Sequence, residues 1–444
     1  MKVILFSVSL VITGLVVAAD PFESTYQPRD HETTLIKGAS VFDGAGRLWV
    51  DSDLLIQGGK VREIGKKLDQ KAGLILDASD KWITPGIIDV HSHMGVYPSP
   101  AISSTSDGNE STSPNTANVW AEHSVWPQDP QFSLALAGGV TTMQILPGSA
   151  NLFGGRGVTI KNVPSRTVQG MKFPSAPHGL KMACGENPKR VYGSRNSAPS
   201  TRMGNVAGYR AEWLKAVEYR DRWRNYDPKG EKPPPSRDLR METLVGVLDG
   251  EIIVHNHCYR ADEMATLIEV SKEFGYKIGT FHHAVESYKI ADLLAKEEIC
   301  SAMWADWWGF KLEAFDGILQ NIALVENAGA CAIVHSDSAR DIQRLNQEAS
   351  KARSAGVRMG IDISKEDAIG WITLNAAKSL GIDKLTGSLE PGKAADLVIW
   401  SHDPFSVYSQ AEKVFIDGYL YFDLITGKKP VTDFALEQLV EVGP

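Results

Sequence analysis

A chain of 444 residues is long enough to bury one large core and a smaller one beside it. With 43% hydrophobic and 23% charged residues it reads as an ordinary globular protein. A net charge of −8, with no dense run of lysine or arginine, excludes nucleic acid and acidic membrane surfaces as expected partners.

The chain opens MKVILFSVSLVITGLVVAAD. Lys2 starts it, an apolar run follows from Val3 to Val17, and Val17-Ala18-Ala19 supplies the small residues of a cleavage site. We read residues 1–19 as an export signal peptide cut near Ala19, with a retained membrane anchor as the competing reading. The mature protein is then expected in the periplasm or outside the cell. Nothing downstream is long and apolar enough to span a bilayer, so no stable membrane insertion is expected once the leader is removed. The cysteines Cys184, Cys258, Cys300 and Cys331 form no CxxC pair and lie in or beside apolar stretches. They are expected as buried free thiols rather than a disulfide framework.

Short strand-like runs follow the leader: TTLIKG, DLLIQGG, KVREIG and LILDAS, each bounded by turn residues. The same texture returns near the C-terminus in ADLVIW, KVFIDG and YLYFDL. Two β-rich ends around a long middle predict one discontinuous β-domain. In the middle, apolar strand segments at 139–146, 179–183, 252–256, 277–282, 299–304 and 330–335 alternate with helix-length stretches such as ADEMATLIEVSKEFG. That alternation over about 300 residues predicts a parallel sheet closed into a (β/α)8 barrel, with chemistry at the C-terminal strand ends. Residues 192–240 break the pattern with a helical run rich in Arg, Trp and Tyr and a loop containing PPP. They read as an insertion, either capping the site mouth or forming a solvated excursion.

The stretch TPGIIDVHSHMG ends the first barrel strand. Side chains alternate along a strand, so His91 and His93 share one face, and two neutral imidazoles on one face suit a cation. Later strands end in the same way. IIVHNHC carries His255 and His257, IGTFHHAVE carries His282 and His283, and CAIVHSDS carries His335 and Asp337. Histidines scattered through a core would rarely fall in four such clusters.

These segments resemble the amidohydrolase superfamily of metal-dependent hydrolases. PGIIDVHSH matches its PG-x-x-D-x-H-x-H signature, and GSLEPGKAADLVIW matches its C-terminal G-x-L-x-P-G-K-x-A-D-L-V stretch. HNHCYRADE and HHAVESYKI are similar to segments of the imidazolonepropionase-like group, with its metallo-carboxypeptidase and prolidase-type members. The resemblance implies a (β/α)8 barrel at 85–380 and a β-sandwich built from 20–84 and 381–444. It implies metal ligands at His91, His93, His255, His283 and Asp337, and one or two divalent cations, zinc being the expected ion. It also implies a carboxylated fourth-strand lysine bridging two metals. Lys181 stands at that place, with Glu186 as its rival.

The chemistry expected from the resemblance is hydrolysis by metal-activated water, with Asp337 as general base and acid. His257, on the same face as His255, would orient substrate, support the oxyanion or back up a ligand. Adjacent His282 is expected to point away and pack. Arg195, Arg202 and Arg210 are candidates for a substrate carboxylate, and Trp307, in MWADWWGF, for an apolar wall. Cys258 stands where imidazolonepropionases proper carry a glutamate three residues after the histidine. The expected substrate is a small amide, a dipeptide or an N-acyl amino acid. A cyclic amide hydrolase or deaminase is the alternative, and a non-catalytic amidohydrolase-like binding protein the alternative of another class. A homo-oligomer is compatible with all of these.

Overall fold

The structure, a computed structural model, describes residues 20–429; the expected leader at 1–19 and residues 430–444 lie outside the described residues. The N-terminal block forms five strands, β1 (Thr34–Phe42), β2 (Leu48–Gln57), β3 (Lys60–Gly65), β4 (Leu74–Asp77) and β5 (Trp82–Pro85). The barrel follows with β6 (Ile87–Ser92), β7 (Val140–Ile145), β8 (Phe153–Lys161), β9 (Gly179–Ala183), β10 (Ile253–Cys258), β11 (Ile278–His283), β12 (Cys300–Met303) and β13 (Ala332–Val334). The chain returns with β14 (Leu397–Trp400), β15 (Ala411–Ile416) and β16 (Tyr419–Asp423).

Both ends of the chain meet in one sheet of order β16-β15-β14-β5-β1-β2-β3, with β4 also pairing β1. The join is the antiparallel pair of β14 with β5, where Leu397 faces Pro85 and Trp400 faces Trp82. Ile36, Val41, Leu54, Ile56, Leu397, Ile399 and Phe415 bury its apolar face, and fully burying side chains of this size contributes about 1.5–3 kcal/mol each.

The remaining eight strands form a nearly closed barrel in sequence order from β6 to β13. Seven run in one direction; β8 runs antiparallel to both β7 and β9. The all-parallel expectation is corrected at this strand. Residues 146–152 are too few for a crossover helix, so the chain doubles back from β7 as a hairpin. Between β13 and β6 the ladder is interrupted, and residues 371–372 fill the gap. Ile88 N donates to the Ile372 carbonyl at 2.9 Å and Val334 N to the Trp371 carbonyl at 3.1 Å. Gly86 lets β6 enter the barrel, since a Cβ there would stand 2.1 Å from Thr141 Oγ1.

The stretch 192–240 belongs to the barrel wall. Thr201 caps the 23-residue helix Arg202–Arg224 through Gly204 N. Its buried Tyr209 and Trp213 pack edge-on against Phe153 of β8, and Trp213 stacks on Tyr276 at 4.3 Å. Only its N-terminal end reaches the rim. The free-thiol expectation is also overturned, because Cys184 bonds to Cys258 and Cys300 to Cys331. Adjacent strands bring them together: Ala183 is level with His257 and Ser301 with Ala332, so the cysteines next to them are neighbours across the ladder. Partners 74 and 31 residues apart leave no local signal in the sequence. Among the described residues, no helix is long and apolar enough to cross a membrane.

Candidate metal centre

The histidine clusters converge at the C-terminal ends of the barrel strands. Alternation along β6 turns Asp89, His91 and His93 inward. Asp89 does not join the centre; it closes the barrel, its Oδ1 accepting from His91 N at 3.1 Å and Ser336 N at 3.3 Å, and its Oδ2 from Ser336 Oγ. Two further residues enter by unusual backbone. His283 has φ 67° and Asp337 φ 50°, left-handed values that non-glycine residues adopt at a cost. That turn aims His283 at the site directly after His282, so both members of the pair face the barrel interior. His282 is therefore not an outward packing residue.

The inner geometry is tight. His91 Nε2 lies 3.3 Å from His93 Nε2 and 3.5 Å from Asp337 Oδ1, and His93 Nε2 lies 3.3 Å from the same oxygen. Asp337 Oδ2 faces His283 Nδ1 at 3.8 Å. Donor atoms of His91, His283 and Asp337 all lie within 4.8 Å of one another. His93 Nδ1 donates to the Leu146 carbonyl at 2.8 Å; a carbonyl only accepts, so Nε2 keeps its lone pair for the interior. The imidazole nitrogen and the carboxylate then need a cation between them, a proton or a metal ion. The separations match the roughly 3.3 Å edge of a tetrahedron whose corners lie about 2.0–2.1 Å from its centre, the usual zinc–nitrogen distance. The residues fit a divalent metal.

Lys181 reaches the same point from β9, its buried Nζ 3.3 Å from His91 Nε2. Burial, opposed by Asp337, lowers its pKa to about 7. Glu186 turns away to Lys311 at 3.5 Å, so of the two rivals it is Lys181 that stands in the cluster. His255 is a correction. Its Nδ1 bonds His282 Nε2 at 2.9 Å, and its ring lies against Gly179 at the N-terminal end of β9, where a Cβ would meet His255 Cδ2 at 2.7 Å. Two residues further along the strand, His257 is level with the centre, its ring 4.7 Å from that of His283 and its Nε2 3.3 Å from Asn187 Nδ2.

Burial is the largest influence on these groups. It pushes the pKa values of His91, His257, His282 and His283 well below the ordinary 6.5, with nearby Lys181 acting in the same direction, so the rings are neutral. For Asp337 burial raises the pKa, but the hydrogen bond and charge of His93, with His335 and Lys181, outweigh it and hold the carboxyl below its usual value.

The expected substrate residues are divided. Trp307 stacks on Trp304 at 4.7 Å, Trp304 stacks on His283 at 4.4 Å, and both tryptophans line a pocket of about 90 Å³ beside the centre. The arginines are engaged elsewhere. Arg195 bonds the Ser111 carbonyl and hydroxyl, Arg202 pairs with Glu263 and Glu313, and exposed Arg210 pairs with Glu273. Each found a carboxylate or carbonyl of the protein first. A larger cleft of about 770 Å³ opens at the strand starts, between Gly250, Gly275 and Cys331, where barrel residues serve stability rather than catalysis.

Fold and site together define a barrel protein with a cluster of potential metal ligands at its C-terminal face. Comparison with known proteins gives the family. A sequence model of the amidohydrolase family matches residues 237–421. An amidohydrolase from Thermotoga maritima MSB8 is 37% identical with a TM-score of 0.81, over 88% of this chain and all of that one. The chain belongs to the amidohydrolase family. The amidohydrolase tasK of Hapsidospora irregularis is 32% identical over 407 residues; the match takes in 86% of this chain and 41% of that protein, so the chain spans about two fifths of its length. An adenosine deaminase from Xanthomonas campestris, solved with bound zinc, shares the fold at 17% identity and a TM-score of 0.50, over 92% of this chain and 96% of that one.

Proposed function

We propose that the protein hydrolyses the C–N bond of a small amide, a dipeptide or an N-acyl amino acid, in a metal-dependent reaction. The observation that carries this reading is the trio of inward donor atoms on His91, His93 and Asp337, 3.3–3.5 Å apart. These residues, with His283, would hold one or two divalent ions, and their spacing suits zinc. When bound, the ion supplies Lewis acidity toward an amide carbonyl and lowers the pKa of water toward neutrality.

The chain's own residues do the rest. Asp337, ionised at neutral pH, takes the proton of the attacking water and later hands it to the leaving nitrogen. His257 accepts from Asn187 at Nε2, which leaves its buried Nδ1–H without a partner and free to donate to the developing oxyanion. Lys181, with its pKa near 7, is deprotonated often enough to add carbon dioxide, and the carbamate so formed would give His91 an anionic neighbour. An imidazolonepropionase is disfavoured, because Cys258 is tied to Cys184 where that enzyme has a carboxylate. Two disulfides, with the leader-like residues 1–19, support a site of action outside the reducing cytoplasm.

The test is amine release by zinc-loaded protein from a panel of dipeptides and N-acyl amino acids. At least one should turn over, and Asp337→Asn should lower kcat by roughly a hundredfold or more. No turnover across the panel, or an unchanged kcat in the variant, would contradict the reading.

A further inference from the structure

Every arginine expected to meet a substrate carboxylate is already paired with the protein. Lys311 is different. It lies on the loop after β12, outside the stretches that the sequence singled out. Its Nζ stands 4.0 Å over the Tyr259 ring and 3.3 Å from Asn187 Oδ1, and Nδ2 of the same Asn187 lies 3.3 Å from His257 Nε2. The ammonium is thus one side chain away from the centre. Among the described residues, the one carboxylate in an ion pair with it is Glu186, at 3.5 Å, beyond a good hydrogen bond. With 18% of its side chain exposed, Lys311 is largely desolvated, which strengthens its attraction for an incoming anion. Burial lowers its pKa, and Arg190 adds to this, while Glu186 and Glu313 oppose it. Beyond Tyr259, the stacked Trp304 and Trp307 supply an apolar wall.

Resting on the hydrolase reading of this centre, we infer that Lys311 binds the carboxylate of the substrate, and that the enzyme selects amides bearing a free carboxylate over neutral ones. A carboxylate arriving at Nζ displaces Glu186, whose side chain is 28% exposed and can turn to solvent. Asn187, already bonded to Ser149 and His257, holds the anion side of the site in register with the reacting bond.

Binding tests this without requiring turnover. N-acetyl-L-phenylalanine and its carboxamide are titrated into zinc-loaded protein, and the immediate change in tryptophan fluorescence is read. The acid should bind about tenfold to a hundredfold more tightly than the amide, the range of one charge-assisted hydrogen bond. Lys311→Met should abolish that preference, so that acid and amide bind alike, and Lys311→Arg should restore part of it. Equal binding of acid and amide by the wild type, no binding of either, or an unaltered preference in Lys311→Met would overturn the inference. A charge preference that depends on Lys311 without any hydrolysis would sink the hydrolase reading and leave the anion subsite standing. Turnover with equal KM for acid and amide would do the reverse.

Discussion

The Nδ1 atoms of His91 and His282 lie 2.9 Å apart inside the barrel, so one ring donates and the other accepts. If His91 keeps the lone pair on Nε2 for an ion, its Nδ1 must carry the proton. His282 then accepts at Nδ1 and donates from Nε2 to His255 Nδ1 at 2.9 Å. Three imidazoles form a chain that fixes the tautomer of the innermost one.

His282→Ala should therefore weaken metal binding by about tenfold to a hundredfold without removing a ligand atom. Competition with a chelator of known affinity measures it. An unchanged affinity would mean that His91 holds its tautomer without help.

Exchanging the fifth-strand assignment gives a second outcome. His255→Ala should leave the metal stoichiometry intact, because that ring faces Gly179. His257→Ala should lower kcat by roughly a hundredfold, the scale of one lost oxyanion donor. The opposite pattern in metal content and rate would restore His255 to the centre.

The sequence made much of this legible. Both β-rich ends and most barrel strands follow from apolar periodicity, and the four histidine clusters from strand-end position; His283 and Asp337 were singled out within them by the resemblance to the amidohydrolase superfamily. β8 was missed because FGGRGVTIK has three glycines in its first five residues, which hide its strand character until the tertiary pairing supplies it. The choice between His255 and His257 was not readable, since alternation gives both the same face and only height along the barrel separates them. His282 was misread for a related reason. Alternation assigns opposite faces to adjacent residues, and the left-handed turn at His283 cancels that rule. Lys311 carries no motif; only the fold brings its loop to Asn187.

The bond between Cys184 and Cys258 ties the ends of β9 and β10 beside Lys181 and His257. Replacing both cysteines with serine should lower stability by about 2–4 kcal/mol, read from denaturant unfolding under oxidising conditions. Equal stability of variant and wild type would show that the bridge does not form in the purified protein.

Acid should destabilise the metal-free protein. Burial holds His255 at about 3 and His335 at about 4, against 6.5 for an ordinary histidine. Between those values and 6.5 the unfolded chain binds protons that the folded chain does not, so stability rises with pH in that window. The contribution is fully present above 6.5 and fades as pH falls toward 3, each ring giving at most about 1.4 kcal/mol per pH unit. Denaturation curves from about pH 7 down to about pH 4 should show the loss. A flat profile would mean that these rings are not buried as neutral imidazoles.

In the proposed reaction His91 and His93 hold a divalent metal together with Asp337. Elemental analysis of protein purified without chelator tests it most directly, comparing the wild type with the His91→Ala, His93→Ala double variant at matched folding. One to two divalent ions per chain in the wild type, falling sharply in the variant, is the predicted result. Equal metal in both proteins, or none in the wild type after incubation with zinc, would contradict it.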